Sequence, residues 1–178
     1  MKIKVDQNLF VELIKPSHAA LIFGMVDHNR AHLRPWLPFV DRMQDVTFAE
    51  NFVKGTISRN QSGNEYAFII FFDELPVGRI GLYKIDHLNK CGEIGYWLIT
   101  TAQSKGIIQK TTKALINYGF DHLGLHRLEI RCATENYKSQ AIPEKLGFTR
   151  EGIIRDGEWL GNRFTDLVQY SLLKKDLP

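Results

Sequence analysis

The polar turn Gln103-Ser104-Lys105-Gly106 has the composition of an anion-binding site. It follows a hydrophobic strand pattern and precedes a helical one, so we expect it to lie at a helix N-terminus. The N–H groups of a first helical turn are unpaired, and the helix dipole favours negative charge there. Gly106 lets the backbone approach a ligand closely, and Lys105 adds a positive charge. The turn therefore predicts a site for a phosphate-bearing ligand.

One apolar face indicates the helix behind this turn. Its members recur at helical spacing: Ile107, Ile108, Thr111, Ala114, Leu115 and Tyr118. The strand before the turn runs from Glu93 to Ile99. Neither GxxxxGK[ST] nor GxGxxG occurs in the chain, so nucleoside triphosphates and dinucleotides are disfavoured as ligands. Taken alone, the turn is equally consistent with a plain connection between strand and helix.

A second segment, Asn136 to Phe148, follows an alternating strand pattern over Arg127–Ala133. It resembles motif B of the GNAT superfamily of N-acetyltransferases, N-x-x-[SA]-x-x-[ILV]-x-x-K-[LA]-G-F, at nearly every fixed position. Gln103-x-x-Gly106 resembles motif A of the same family, [QR]-x-x-G-x-[GA], although Ile108 departs from its last position. The two motifs stand in the family's order and at its separation, and the resemblance spans essentially the whole chain.

Three further segments narrow the resemblance to the RimJ/RimL-like branch: Leu33–Pro38, Glu93–Leu98 and Glu144–Phe148. Enzymes of that branch acetylate the N-terminal amine of ribosomal proteins. The resemblance implies acetyl-CoA as co-substrate, no metal, and a protein N-terminus as acceptor. Two alternatives stay open. One is an acetyltransferase for small amines such as polyamines, amino acids or amino sugars, which an acidic acceptor groove would favour. The other is a non-catalytic module that binds coenzyme A.

The resemblance also implies the coenzyme contacts. Main-chain amides of the motif A loop would hold the pyrophosphate, N–H groups at the end of the central strand would hold the thioester, and the motif B Asn would bond the pantetheine arm. The coenzyme-binding residues are accordingly Trp97, Leu98, Ile99, Gln103, Ser104, Lys105, Gly106, Ile107, Ile108 and Asn136. Asn136 has a plainer alternative role as a turn residue.

Three residues are candidates for the proton transfers. Many family members carry a Tyr seven residues after the motif B Asn, but here that position is Pro143. RimL-like members instead use a Ser three residues after the Asn as the general acid, which is Ser139; its alternative role is helix capping. The base is Glu158, where RimL-like enzymes carry a catalytic Glu, or Glu93 on the central strand. Either carboxylate could instead be a solvated charge. A terminal amine, with a pKa of roughly 8, loses its proton more easily than a lysine.

The elements that must position these residues follow the order β-α-α-β-β-β-α-β-α-β-β. An edge strand is predicted over Leu9–Ile14, and the second helix is predicted to start at a capping box of Thr47 and Glu50. The resulting fold is α/β (α+β), a GNAT-like mixed, mostly antiparallel sheet flanked by helices, in a single N-acetyltransferase domain over residues 1–178. Four aromatic residues are candidates for lining an acceptor pocket: Trp36, Phe39, Tyr96 and Trp159.

Composition argues against several other classes. The formal net charge of +3, from 23 basic and 20 acidic side chains, is too small to indicate direct nucleic-acid binding. Cys91 and Cys132 lack the spacing of zinc ligands. The chain shows no signal-peptide pattern and no apolar run of membrane-spanning length, so we expect a cytoplasmic protein without a membrane partner. The sequence leaves open whether it forms a homo-oligomer.

Overall fold

The computed structural model describes residues 1–177, which form one eight-stranded sheet and five α-helices. The strands are β1 (Lys2–Lys4), β2 (Leu9–Leu13), β3 (Tyr66–Phe72), β4 (Leu75–Asp86), β5 (Cys91–Leu98), β6 (Arg127–Ala133), β7 (Thr149–Trp159) and β8 (Phe164–Leu173). The helices are α1 (Ala19–Asp27), α2 (Arg30–Leu33), α3 (Val46–Gln61), α4 (Ile107–Asn117) and α5 (Tyr137–Lys145). The predicted class, a mixed, mostly antiparallel sheet flanked by helices, is confirmed.

The strands lie in the order β1-β2-β3-β4-β5-β6-β8-β7, and each neighbouring pair is antiparallel except β5 with β6. Parallel neighbours need a crossover connection, which α4 supplies. The two strands pair only over Cys91–Glu93 and Arg127–Glu129. Beyond those pairs they share no register in the described chain. We call the gap between residues 94–98 of β5 and 130–133 of β6 the wedge.

Apolar side chains cover both faces of the sheet, because successive strand residues point to opposite sides. One face packs against α4 and α5, with Phe68, Ile94 and Ile130 at its centre. The other face packs against α1 and α3, with Ile69 and Trp97 among its buried members. Burying such a side chain fully contributes about 1.5–3 kcal/mol. The sheet is therefore a stiff frame on both sides of the wedge.

Two local expectations are wrong. The strand at Leu9–Leu13 is not an edge, because β1 pairs with it and takes the edge position. Three residues carry too little alternation for β1 to be recognised in the sequence. The helix predicted as the second is α3 of the structure, and it does not start at the Thr47 capping box either. Asp45 is its N-cap and accepts a hydrogen bond from the Phe48 N–H at 2.8 Å. An Asp cap without a Glu or Gln at the third helical position lacks the box signature.

Candidate active site

The predicted anion loop leads into α4 at the end of β5. Gly106 is the N-cap residue, and its φ of +72° is a left-handed conformation that favours glycine. A Cβ placed there would meet no atom within 4 Å, so the space in front of the turn is open. No side chain within residues 1–177 caps the helix. The N–H groups of its first turn are therefore available to an anion.

Ile108, the bulky residue in the last position of motif A, fits there because its side chain points into the core. Ile107 and Ile108 are both buried in the cluster beneath α4. Any contact that they make with a coenzyme would therefore involve their backbone N–H groups. Ser104 is exposed and has a left-handed φ of +62°, which completes the tight turn before Gly106.

Gln103 joins three elements at the loop. Its amide nitrogen lies 2.6 Å from His32 Nε2 on α2, and its Oε1 accepts a hydrogen bond from Lys138 Nζ on α5 at 3.1 Å. The Lys138 ammonium is thus held beside the loop that carries Lys105. Sequence reasoning missed both His32 and Lys138. Lys138 occupies a variable position of motif B, so only the tertiary contact reveals that it belongs to the predicted phosphate site.

The strand end predicted to hold the thioester borders the wedge. The Trp97 side chain is buried on the face covered by α1 and α3. Leu98 and Ile99 are half-buried, and the Ile99 N–H donates to the Val77 carbonyl at 2.9 Å. Past Glu93, the β6-facing edge of β5 has no strand partner in the described chain. Its backbone groups are positioned to pair with a ligand in the wedge, and this contact stays a prediction.

Ser139 lies in the first turn of α5, where it contacts Cys132 of β6 and Tyr96 of β5, the two strands that border the wedge. The Asn136 side chain caps α5 by accepting the Ser139 N–H at 3.2 Å, so the capping role falls to Asn136. The Ser139 hydroxyl oxygen accepts from the Cys132 thiol at 3.3 Å. Burial raises the pKa of Cys132 to about 11, so that thiol stays protonated and keeps donating. The proton of the Ser139 hydroxyl is left without an acceptor within residues 1–177.

A tyrosine does approach this point, but from another element. Pro143 is buried inside α5 and offers no hydroxyl, as the sequence indicated. Tyr96 on β5 instead donates its hydroxyl to the Ser139 carbonyl at 2.9 Å. Burial raises the pKa of Tyr96 well above its usual range. Its proton is already engaged, so Tyr96 braces the start of α5 and does not replace the missing general acid.

The two candidate bases lie near each other but in different surroundings. Burial raises the pKa of Glu158, the nearby negative charge of Glu93 raises it further, and Lys84 lowers it by a smaller amount. Glu93 accepts from Lys84 Nζ at 2.9 Å and lies 3.7 Å from an Arg131 nitrogen. Glu158 has no ion-pair partner among the described residues. Glu158 therefore has the properties of a proton acceptor, and Glu93 those of a fixed negative charge.

A groove of about 780 Å³ lies between the segment after α2 and the β7–β8 hairpin. Of the four aromatic candidates, only Trp159 lines it; Phe39 instead stacks on Phe52 with 5.9 Å between ring centroids. Its lining contains three arginines and one aspartate, which the sequence analysis did not single out. We call it the arginine groove, lined by Arg34, Pro35, Leu37, Pro38, Asp41, Arg42, Trp159, Leu160, Gly161, Asn162 and Arg163.

No group of three or more His, Cys, Asp or Glu side chains in residues 1–177 is arranged to hold a metal ion. No helix in the same range has the length and apolar character needed to cross a membrane.

Comparison with known proteins identifies similar chains over nearly the full length. A family model described as an acetyltransferase (GNAT) domain matches residues 8–149. "Putative ribosomal N-acetyltransferase YdaF" of Bacillus subtilis is 33% identical over 174 residues, which covers 97% of this chain and 95% of that one. Ribosomal-protein-serine acetyltransferase of Escherichia coli is 29% identical over 169 residues, covering 95% and 94%. The solved structure of RimL, the ribosomal L7/L12 alpha-N-protein acetyltransferase, in complex with coenzyme A superimposes with a TM-score of 0.94 at 26% identity, covering 97% and 98%.

Proposed function

Since the chain belongs to the GNAT acetyltransferase family and is an acetyl-CoA-dependent N-acetyltransferase, we propose that its acceptor is the N-terminal amine of a ribosomal protein. The names of its two full-length relatives support a ribosomal-protein acceptor. The observation that carries the proposal is Glu158, a half-buried carboxylate with a raised pKa and no cation bound to it within residues 1–177. Such a group suits removal of a proton from an ammonium ion near neutral pH.

The coenzyme binds with its diphosphate at the loop from Gln103 to Gly106. Free N–H groups at the start of α4 would donate to the phosphate oxygens, and Lys105 and Lys138 would balance their charge. The pantetheine arm would then enter the wedge, where the unpaired edge of β5 offers backbone groups to its amides. The thioester would lie between that edge and Ser139.

The transfer moves two protons away from the acceptor ammonium. The first passes to Glu158, directly or through a water, and leaves a neutral amine. The amine nitrogen attacks the thioester carbon, and the developing oxyanion is stabilised by backbone N–H groups of β5. The C–S bond then breaks, and the sulfur receives a proton from the Ser139 hydroxyl, which recovers one from the nitrogen that has become an amide. The products are the N-acetylated acceptor and coenzyme A with a free thiol.

The polyamine alternative is less well supported. An acidic acceptor groove would favour it, whereas the charged lining of the arginine groove consists of Arg34, Arg42 and Arg163 against Asp41. Cationic acceptors would be repelled there. The same lining makes aminoglycosides poor candidates, because they also carry several positive charges.

The test is an acceptor panel. The protein is incubated with acetyl-CoA and ribosomal N-terminal peptides, polyamines or aminoglycosides, and release of free thiol is followed. Each peptide is paired with a control whose amine is already acetylated. We expect thiol release with free peptides and none with blocked ones. Release with polyamines or aminoglycosides alone would replace the proposed acceptor with a small amine.

A further inference from the structure

The arginine groove has a net positive charge that the acetyl transfer itself does not require. We infer that it recognises acidic side chains just behind the acceptor amine, so that the preferred substrate is a protein N-terminus with Asp or Glu among its first residues. This inference rests on the proposed function and names the substrate class of the same site. It depends on the charges of the groove, on Trp159 of the groove being next to Glu158 in β7, and on the size and lining of the groove.

The arginines are available to a ligand. The Arg42 side chain is exposed and has no hydrogen-bond or ion-pair partner within residues 1–177. Arg34 bonds Asp41 at 2.7 Å, and Arg163 bonds Glu135 at 3.3 Å. Both pairs are exposed on both sides, so they contribute little stability and can open for another anion. Guanidinium groups bind carboxylates through two parallel hydrogen bonds, which favours acidic side chains as the ligand.

The site as a whole has charges of opposite sign at its two ends. Trp159 in the groove directly follows Glu158 in β7, so their Cα atoms are about 3.8 Å apart although their side chains leave the strand on opposite sides. The Glu158 carboxylate lies near Glu93. An acceptor ammonium is therefore attracted to the carboxylates, while an acidic group further along the acceptor is attracted to the arginines. A protein N-terminus followed by acidic residues has this order of charges. A polyamine carries positive charge at both ends and does not.

The size and the lining of the groove suit a short peptide segment. Its volume of about 780 Å³ lies within the usual range of ligand sites, and Pro35, Leu37 and Pro38 give it an apolar lining. Trp159 is 49% exposed and Phe164 is 58% exposed, with ring centroids 4.8 Å apart. Exposed aromatic side chains of this kind supply contact area for a peptide at low entropic cost. An extended peptide advances about 3.3–3.6 Å per residue, so the residues directly after the amine are within reach of the groove.

The first experiment compares matched peptides. They share one N-terminal residue and differ only in whether the next positions are acidic, neutral or basic. We expect kcat/KM to be higher for the acidic than for the basic peptide by about tenfold, and the ratio to fall as salt is added. Equal use of the three peptides, or a preference for the basic peptide, would overturn the inference and leave N-terminal acetylation standing. If no free peptide is acetylated, the proposed function falls, and the inference falls with it.

The second experiment places the preference in the groove. Arg42→Gln should lower kcat/KM for the acidic peptide several-fold and raise it for the basic peptide, because the variant removes a positive charge that repels basic side chains. Lys175→Gln removes one positive charge from an exposed side chain near the C-terminus and should change neither. Arg42→Glu should shift the preference toward the basic peptide. Melting temperatures check that each variant is folded. An equal loss in Arg42→Gln and Lys175→Gln would mean that net charge, not the groove, sets the preference.

Discussion

Glu158 is a carboxylate whose ionised form the fold disfavours, because burial and Glu93 raise its pKa. As a base it acts only when ionised, so turnover should rise with pH through that raised pKa. We expect Glu158→Gln to lower kcat by on the order of a hundredfold near neutral pH, within the range of general base catalysis. Part of the loss should be recovered at high pH, where the amine deprotonates by itself. Thiol release across a pH series measures this, and coenzyme affinity should stay nearly unchanged.

Glu93→Gln is the matched control for that prediction. Glu93 is held by Lys84 and Arg131, so it is expected to influence the charge of the site without accepting the proton itself. It should therefore lose less activity than Glu158→Gln on the same acceptor. If Glu93→Gln lost more activity than Glu158→Gln, the base would instead be Glu93 on β5.

Glu158→Gln should also change stability, and in the opposite direction to activity: the variant loses turnover but gains melting temperature at neutral pH. Since folding raises its pKa above the ordinary value, ionised Glu158 destabilises the fold at neutral pH, and the variant should melt higher than the parent there but not in acid.

Ser139 is predicted to act on the leaving sulfur and not on the bound ground state. Its hydroxyl accepts from the Cys132 thiol, which leaves its own proton free to point into the wedge. Ser139→Ala should therefore lower kcat more than it weakens coenzyme A binding. Single-turnover rates and calorimetric binding of coenzyme A separate the two. An equal loss in both would indicate that Ser139 only packs at the start of α5.

At the scale of elements, the N-terminus of α4 is predicted to supply the phosphate site. Asn and Asp are nearly the same size and both tolerate the left-handed φ of Gly106, so Gly106→Asn and Gly106→Asp differ chiefly by one charge. The Asp variant should bind coenzyme A much more weakly than the Asn variant, since its carboxylate would lie where the pyrophosphate is expected. Isothermal calorimetry gives both affinities. Equal affinities would mean that the diphosphate binds elsewhere.

The start of α5 combines a structural and a binding role in one side chain. Asn136 caps the helix through its oxygen, and its amide nitrogen remains for the pantetheine arm. Asn136→Ala should lose both functions and destabilise the protein by about 1 kcal/mol. Asn136→Asp retains the capping oxygen but not the amide donor, so its melting temperature should match the parent while coenzyme A binds less tightly. If Asn136→Asp binds coenzyme A normally, Asn136 is a cap only.

The parts of the site that the sequence predicted are those encoded by local spacing. Gly106 before an amphipathic helix, and Asn136 and Ser139 at the start of the next, are fixed by short-range backbone requirements. Other residues of the site have partners on elements that are distant in the sequence. Lys138 meets Gln103, and Arg131 approaches Glu93, only after the sheet has formed. No periodicity encodes such contacts, and the arginine groove was missed for the same reason.

At the scale of the whole molecule, the fold class could be predicted because long strands and helices alternate clearly. The extent of the wedge could not, because it depends on where two parallel strands stop pairing. The pattern of β5 continues without a break past Glu93, and that of β6 past Glu129. Pairing ends there because the strands diverge in three dimensions. The wedge, where we propose that the pantetheine arm binds, is thus a property of the assembled sheet and not of either strand.

The half of the sheet beyond the wedge is tied together by a charged cluster that should make stability depend on pH. Arg127 on β6 donates to Glu151 on β7, and Ser171 on the intervening β8 donates to the same carboxylate at 2.8 Å. The hydrogen bond from Arg127 is the main reason that the pKa of Glu151 falls from 4.5 to about 2. Because folding lowers this pKa, the cluster stabilises the protein above about pH 4.5, and the contribution is lost as pH falls toward 2.

Glu151→Gln should accordingly lower the melting temperature at neutral pH, and its difference from the parent should shrink as pH falls from 4.5 toward 2. The side chain is 36% exposed, so added salt should reduce the difference as well. Glu135→Gln is the control, since its pair with Arg163 is exposed on both sides and should contribute little at any pH. Melting curves of the three proteins between neutral pH and pH 2 test this. A constant difference between Glu151→Gln and the parent across that range would show that the carboxylate stabilises the sheet by packing and not by its charge.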